Sequence, residues 1–339
     1  MPDDAVVDAR EPTLIDVARM AKVAPSTASR ALHESPRISE STKRRVQAAA
    51  ESLGYQPNRI ARSLRTRNGS FVGIVVPDIG IGFYSRVVKG AQDVLEHAGR
   101  AVLLMNTERE AEREEAAVRM LLEHRVSGIL LASSGSAASA PRVPTVFFDN
   151  LPSCSGVASV ALMNAAGIAM LVEHLAQHGH TRIAYIGGPP TLTSGVERLG
   201  GFDQTVRRLG LDERVEYVQL SDAAWSPESA VAAMERLLAL PEPPTAVVAS
   251  GDTLALGALS ACRAAGLRLP DDMALASFDD PFFGGLLDPP LTALARDEAE
   301  MGRRAASLLL DALESGASGP PVEVLLPVEL VVRRSCGCP

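Results

Sequence analysis

Two groups of side chains in this sequence have types and spacings suited to chemistry, and they lie in different parts of the chain. Between Pro25 and Gln47 the stretch PSTASRALHESPRISESTKRRVQ crowds hydroxyl and basic side chains into one short segment. Much further on, acidic residues stand at the ends of short β-branched runs: Asp149 after VFF, Asp252 after VVASG, and Asp279 with Asp280 after ALASF. The first group has the chemistry of a polyanion-binding surface. Its hydroxyls donate or accept at bases and phosphates, and an arginine such as Arg30 makes a bidentate contact to guanine. The second group suits a polyol, because a carboxylate accepts hydrogen bonds from vicinal hydroxyls. An aspartate after a strand is also a common turn or cap residue, and these residues alone leave both readings open.

Charge separates the two groups. The 339 residues carry a formal charge of −8, yet residues 1–68 are net +4 and the remainder is net −12. A basic module that meets a polyanion, joined to an acidic body that does not, explains this asymmetry. The chain is 46% hydrophobic and 22% charged, enough to bury two or more cores. Its longest apolar runs are broken by proline or charge and fall far short of the roughly 20 residues of a membrane span. The start, MPDDAVVDAREPT, lacks the basic and apolar regions of a secretory signal. Residues 1–11 therefore read as a disordered leader, and the protein is expected in the cytoplasm, away from membranes.

Capping and periodicity indicate the elements that would position the basic group. Thr13 with Asp16 is a capping box, opening a helix over 14–21 with Leu14, Val17, Ala18 and Ala21 inward. A tight turn follows at 22–24, and Pro25 suits the first position of a second helix over 25–33. A third helix starts near Ser39, with Val46, Ala49, Ala50 and Leu53 at helical spacing and Gly54 as its stop. Two short helices joined by about three residues form the helix-turn-helix pattern, whose second helix enters the major groove. Ser26, Thr27, Ser29 and Arg30 then face base edges, while Ser39, Thr42, Lys43, Arg44 and Arg45 offer phosphate contacts. A small three-helix bundle with a solvated basic face would leave the same pattern. Beyond it, a helix over 58–64 is too short to persist alone in water and would form only against a partner and DNA. Leu64 has the chemistry of a wedge in a minor-groove base step, with Arg65 following it.

From Phe71 onward short β-branched runs alternate with helical ones. Strands are expected at FVGIVV, AVLLM, GILLA, TVFFD, ASVAL, RIAYIG, VEYVQL, TAVVAS, MALASF and VEVLLPVELVV. Helices are expected at 84–97, 108–124, 165–178, 196–209, 227–240, 253–265 and 297–315. Such alternation predicts an α/β body of doubly wound parallel sheets, here two of them with a cleft between. Ligands bind beyond the carboxyl ends of strands in such sheets, where Asp78, Asp149, Gly187, Gly188, Gly251, Asp252, Asp279 and Asp280 fall.

The stretch TLIDVARMAKVAPSTASRALHESPRISESTKRRVQAAAESLGYQPNRIARSLRT is similar to the head of lactose/galactose-repressor (LacI/GalR) family transcription regulators. EHLAQHGHTRIAYIGGP, ERLGGF, GDTLALGAL, FDDP and PPLTAL resemble landmarks of that family's body. The resemblance implies a helix-turn-helix domain at 12–56, a hinge helix and linker at 57–70, and a periplasmic-binding-protein-like effector and dimerisation domain at 71–339. One subdomain would comprise about 71–162 and 298–324, the other about 163–297 and 325–339. Major-groove contacts are implied for Pro25, Ser26, Thr27, Ser29 and Arg30, and backbone contacts for Thr13, Ser39, Thr42, Lys43, Arg44 and Asn58. The hinge would meet the minor groove through Ala61, Leu64 and Arg65. Effector contacts are implied for Phe83, Asp149, Arg198, Trp225, Gly251, Asp252, Asp279 and Arg296. Trp225, the sole tryptophan, has a core position as its alternative. The expectation is a homodimeric repressor of carbohydrate uptake or catabolism genes, bound to a pseudopalindromic operator and controlled by a sugar-like effector. A solute-binding protein of sugar transport shares such a body; the basic head and the missing secretory signal argue against it.

Several departures from the family pattern bear on specificity. Ala24 stands where a serine usually precedes the recognition helix. Gly251 replaces an asparagine, Met163 an aspartate before Asn164, and Arg296 a glutamine of sugar-responsive members. An added cation and a lost amide predict an acidic effector, a sugar acid or sugar phosphate. No leucine-heptad tail follows the last strand, so no coiled-coil tetramer is expected. The sequence holds no G-x-S-x-G, no phosphate-binding loop and no H-E-x-x-H, and neither enzymatic activity nor a cofactor is expected. Cys154, Cys262, Cys336 and Cys338 are too few and irregular for a disulfide framework. The Cys336 and Cys338 pair has no further ligand nearby in sequence, and His178 with His180 matches no usual zinc spacing. No metal site is expected.

Overall fold

Local signals start and stop the head's helices. In the first helix, α1 (Leu14–Met20), the Thr13 hydroxyl accepts from the Asp16 N–H while the Asp16 carboxylate accepts from the Thr13 N–H at 2.9 Å. A turn with Lys22 in the left-handed region (φ +52°) leads to α2 (Pro25–Leu32). The third helix, α3 (Glu40–Leu53), runs from the Ser39 cap to Gly54. Val17, Ala18, Ala21, Ala28, Ala31, Val46, Ala49 and Ala50 form the core between them. Alanine dominates, and burial contributes only about 25 cal/mol per Å² of apolar surface, so capping and cross-helix bonds matter here. One such bond runs from Arg45 Nε to the Ala21 carbonyl at 3.0 Å, tying α3 to the end of α1.

The computed structural model describes residues 12–32, 35, 37–55, 71–135, 141–152, 156–221, 225–316 and 321–338. The chain divides into two units, Met1–Asn68 and Gly69–Pro339. The expected leader, and the hinge with Asn58, Ala61, Leu64 and Arg65, lie outside the described residues.

The larger unit opens with β1 (Phe71–Val76), α4 (Gly82–His97), β2 (Ala101–Asn106), α5 (Ala111–Glu123), β3 (Gly128–Leu131), β4 (Thr145–Phe148) and β5 (Ala158–Leu162). It continues with α6 (Asn164–Gln177), β6 (Ile183–Gly187), α7 (Thr193–Leu209), β7 (Val218–Leu220), α8 (Pro227–Leu238), β8 (Ala246–Ala249), α9 (Asp252–Ala264) and β9 (Ala274–Ser277). The last elements are β10 (Thr292–Ala295), α10 (Glu298–Ser315), β11 (Glu323–Leu326) and β12 (Glu329–Val331). One sheet has the order β11-β5-β4-β3-β1-β2 and is parallel throughout. The other has the order β12-β10-β9-β8-β6-β7, with only β12 antiparallel, against β10. Central strands such as β3, β8 and β9 are buried along their whole length, as helices on both faces of a parallel sheet require. The chain crosses from sheet to sheet after β5, after β10 and between β11 and β12.

Three expectations change. VEVLLPVELVV is not one strand: Pro327 has no N–H to give to a ladder, and the chain leaves the first sheet there, so β11 and β12 belong to different sheets. The crossover therefore falls between Leu326 and Glu329 instead of near 325. VEYVQL begins as a 3-10 turn, Val215–Tyr217, and only β7 pairs. The unexpected strand is β10, whose TALA sequence has little intrinsic strand preference; pairing with β9 and β12 imposes its extended state.

Candidate functional site

On α2, Pro25, Ser26 and Arg30 are exposed and Thr27 is half-buried. Ser29 corrects the expectation that it faces a groove, because it is only 6% exposed. Ala28, Ala31 and Leu32 pack inward on this helix, and Ser29, about 60° round the helix from Leu32, is buried on the flank of that apolar stripe. Around the start of α3, Ser39 and Arg44 are exposed while Thr42 and Lys43 are half-buried. The Ser39 hydroxyl donates to Thr42 Oγ1 at 2.9 Å, and Lys43 pairs with Glu40 at 2.7 Å. The Thr13 hydroxyl donates to Asp16 within the capping box, so Thr13 serves the helix start before anything else.

In the larger unit a cavity of about 190 Å³ opens where the loops after the strands of both sheets meet. Phe83, Tyr84, Asp149 and Asn150 line it from the first sheet's side; Arg198, Trp225, Asp252, Asp279 and Arg296 line it from the other. The strand ends explain the convergence. Asp149 follows β4, Asp252 follows β8, Asp279 follows β9 and Arg296 follows β10, each at the carboxyl edge where α/β sheets take ligands.

Asp149 is buried and left-handed (φ +62°), a conformation aspartate tolerates better than most residues. Its Oδ2 accepts from the Tyr84 hydroxyl at 2.8 Å and from Asn150 Nδ2 at 2.9 Å. Burial pushes the Asp149 carboxyl up, against the opposing pull of Arg198 and the Tyr84 hydrogen bond. Burial, and then the Asp149 charge, push the Tyr84 hydroxyl well up, so Tyr84 stays a donor. Arg198 is 4% exposed and donates from Nε to Asn164 Oδ1 at 2.8 Å and from Nη1 to the Ser250 carbonyl at 2.6 Å. Its guanidinium lies 3.7 Å from the Phe278 ring centroid and 5.4 Å from that of Trp225. Burial lowers its pKa, yet an arginine remains charged in a protein.

Arg296 forms an ion pair with Asp279 that lacks hydrogen-bond geometry, approaches Glu298 at 3.7 Å, and lies 4.3 Å over the Phe83 ring. Burial first, then the nearby Asp279 charge, raise the Asp252 carboxyl. Gly251 does not line the cavity and is corrected from an effector contact to a backing position. A Cβ there would sit 2.9 Å from Trp225 Cε3, and one at Gly188 would sit 2.2 Å from Cε2. The absence of side chains at both positions admits the indole, which takes its place in the cavity wall while also packing on the second sheet's core.

Sequence reasoning did not single out Tyr84, Asn150 or Ser194. Asn150 Oδ1 accepts from Ser194 Oγ at 2.7 Å and Ser194 N at 3.1 Å, and the Thr193 hydroxyl donates to the Leu151 carbonyl at 3.1 Å. These bonds join the loop after β4 to the start of α7, hence the two sheets' sides of the cleft. A signal was present, since Ser194 lies four residues before Arg198 and so on the same helical face. Folding also brings His174 and His178 to Cys336 and Cys338, which spacing along the chain had left without partners. His180 goes elsewhere, its Nδ1 2.9 Å from Thr245 Oγ1.

Residues 13–58 match the lacI family of bacterial regulatory proteins, and residues 172–336 match a periplasmic binding protein-like domain. The chain is 32% identical to the HTH-type transcriptional repressor CytR of Escherichia coli K12, over 95% of this chain and 96% of that protein. It belongs to the LacI family. Another LacI-family relative, the HTH-type transcriptional regulator CelR of Thermobifida fusca, is 33% identical over 96% of this chain and 98% of its own. Among solved structures, the lac repressor dimer bound to operator and the anti-inducer ONPF superposes with a TM-score of 0.84 at 29% identity, covering 96% of this chain and 99% of that one. A CelR–cellobiose complex gives 0.71 at 31% identity, covering 96% and 99%. As a LacI-family member the protein is a DNA-binding transcription regulator and not an enzyme. Among the described residues, no helix is long and apolar enough to cross a membrane.

Proposed function

We propose that the protein is a homodimeric repressor whose grip on its operator is set by a neutral, hydroxyl-rich ring compound, a sugar or nucleoside, bound in the cavity between the two sheets. The observation carrying this reading is the convergence of Asp149, Asp252, Asp279, Arg198 and the Trp225 ring on one cavity. Carboxylates accept from vicinal hydroxyls, and aromatic rings cover the apolar face of a sugar or base. The neutral ligand replaces the acidic effector expected from Arg296, because that cation is taken up by Asp279 and Glu298 and adds little net positive charge. The CelR complex with cellobiose supports a carbohydrate-type ligand. The lac repressor dimer on its operator supports a dimer reading two half-sites of a pseudopalindrome. Such a regulator of uptake or catabolism genes works in the cytoplasm, where the DNA is.

A ligand touching both walls favours the arrangement held by the Asn150–Ser194 and Leu151–Thr193 bonds. The coupling between cleft and DNA would then be about 1–3 kcal/mol. The test is Trp225 fluorescence titrated with neutral sugars, nucleosides, sugar acids and sugar phosphates, on the wild type, Arg198→Ala and Asp279→Asn. A saturable response to a neutral compound, weakened in both variants, is expected. A response confined to anionic compounds would sink the neutral-ligand reading.

A further inference from the structure

Two histidines four residues apart, His174 and His178, stand at the C-terminal end of α6. Two cysteines two residues apart, Cys336 and Cys338, stand at the far end of the chain. The i,i+4 spacing puts both imidazoles on one helical face, and their ring centroids are 4.9 Å apart. The chain end is aimed by its own bonds. Ser335 Oγ donates to the Leu275 carbonyl at 2.6 Å and accepts from the Thr292 N–H at 2.8 Å, seating the 3-10 turn Arg334–Cys336 against the second sheet. Gly337, at φ +99°, then turns the backbone so that Cys338 returns to the same histidines.

The ligand atoms meet at one point. His174 Nε2 lies 3.1 Å from Cys336 Sγ and 3.7 Å from Cys338 Sγ, and His178 Nε2 lies 3.0 Å from Cys338 Sγ. All four atoms lie within 4.8 Å of one another. Around a tetrahedral zinc with bonds of about 2.0–2.3 Å, nitrogen and sulfur ligands stand about 3.5 Å apart, a value the three separations bracket. Isolated thiol–imidazole hydrogen bonds would need only separate pairs, whereas His174 Nε2 faces both sulfurs. Thr292 Oγ1 stands 3.0 Å from Cys336 Sγ and 2.9 Å from the Arg333 carbonyl, so its one proton can turn to a thiolate when one forms, the kind of outer partner that tunes metal ligands. The Cys336 thiol donates to the Arg333 carbonyl at 3.1 Å, a bond that deprotonation would give up. Cys336 is buried and His178 exposed, so an ion has a path in from solvent.

We propose that His174, His178, Cys336 and Cys338 form a closed tetrahedral zinc site that staples the chain's C-terminus to α6. Two soft thiolates with two imidazoles in a tetrahedron select zinc over hard oxygen-seeking cations. Binding releases the two thiol protons, while the imidazoles bind as neutral ligands through Nε2. Four protein ligands leave no open position, so the role is structural. Both tied elements lie just past crossovers between the sheets: α6 follows β5, and the tail follows the β11-to-β12 passage. The ion would thus hold the second sheet's side of the body as one piece.

The test uses the full chain without a histidine tag, stripped with chelator, kept reduced with a phosphine, and titrated with Co²⁺ and then Zn²⁺. One cobalt per chain is expected, with a thiolate-to-cobalt charge-transfer band and tetrahedral ligand-field bands that Zn²⁺ abolishes. Zinc should raise the melting temperature of the wild type. The double variant His178→Ala/Cys338→Ser alters only the solvent side of the site, and circular dichroism checks its fold. It should lose the charge-transfer band and the zinc-induced melting shift. Absence of the band in reduced wild type, or its full retention in the double variant, would overturn the proposal.

Discussion

Replacing Gly188 with alanine should displace Trp225 and weaken ligand binding while leaving the protein folded. The added Cβ would lie 2.2 Å from Trp225 Cε2 and 2.4 Å from Cζ2, whereas carbon atoms rest about 3.5–4.0 Å apart. The ring must therefore move by more than about 1 Å. Gly188 lies outside the left-handed region, so the backbone accepts alanine and the strain falls on the indole. An extra carbon in packed surroundings costs about 1–3 kcal/mol, which is about 5–150-fold in affinity if the bound state requires the ring in place. Gly251→Ala provides a graded comparison: its Cβ would stand 2.9 and 3.0 Å from Trp225 Cε3 and Cζ3, a clash relieved by a much smaller shift. Trp225 is the sole tryptophan, so its emission maximum reports the displacement and calorimetric titration gives the affinity. Emission should shift and affinity fall more for Gly188→Ala than for Gly251→Ala. Unchanged emission and equal affinity in Gly188→Ala would show that the indole is not seated against these glycines.

Arg198→Ala removes a donor from Asn164 Oδ1 and from the Ser250 carbonyl; each acceptor left buried without a partner costs about 1–3 kcal/mol, readable in urea denaturation. A loss below that range would mean water reaches the site freely. Ligand affinity should weaken as pH falls towards the ordinary carboxylate range, starting above that range because burial raises the Asp149 and Asp252 carboxyls and protonation removes acceptors. The stability contribution of the same two groups runs the other way. Their folded forms bind protons more tightly than the unfolded chain, so it declines as pH rises from the ordinary carboxylate range through the raised values. Asp149→Asn should remove Asp149's share of both trends, and an affinity profile already flat in the wild type would contradict its role. In the head, Arg30→Ala should cost about 1–3 kcal/mol of discrimination at one base pair. Ser29→Ala should act on head stability instead, since Ser29 is buried; loss of base discrimination in Ser29→Ala would reverse that assignment.

Local signals make much of this molecule legible in its sequence. Thr13 with Asp16, Pro25, Ser39 and Gly54 fixed the head's helices because caps and stops act within a few residues. The repeated alternation of strand and helix indicated two mainly parallel sheets, and Asp149, Asp252 and Asp279, each beyond a strand's carboxyl end, line one cavity. What escaped depends on distant partners. The strand state of β10 comes from its neighbours in the sheet. Ser29 depends on the phase of α2 against α1 and α3, which a short helix with one obvious polar face does not reveal. At Gly251 the sequence shows only a missing side chain, and the fold lays Trp225 over it. At Arg296 the sequence shows an added cation, and the fold supplies Asp279 and Glu298 beside it. The His174, His178, Cys336 and Cys338 cluster joins opposite ends of the second sheet's unit, a distance over which spacing rules have no reach.

Control of DNA binding from the cavity can be read in one experiment: anisotropy of a fluorescent operator, obtained by in vitro selection with the protein itself, titrated with protein at zero and saturating concentrations of the compound that alters Trp225 emission. Operator affinity should change by at least about fivefold, and in Gly188→Ala and Asp279→Asn that change should require more compound in proportion to their weakened binding. An operator affinity that stays the same when the cavity is saturated would separate the cavity from the head and end the proposed coupling.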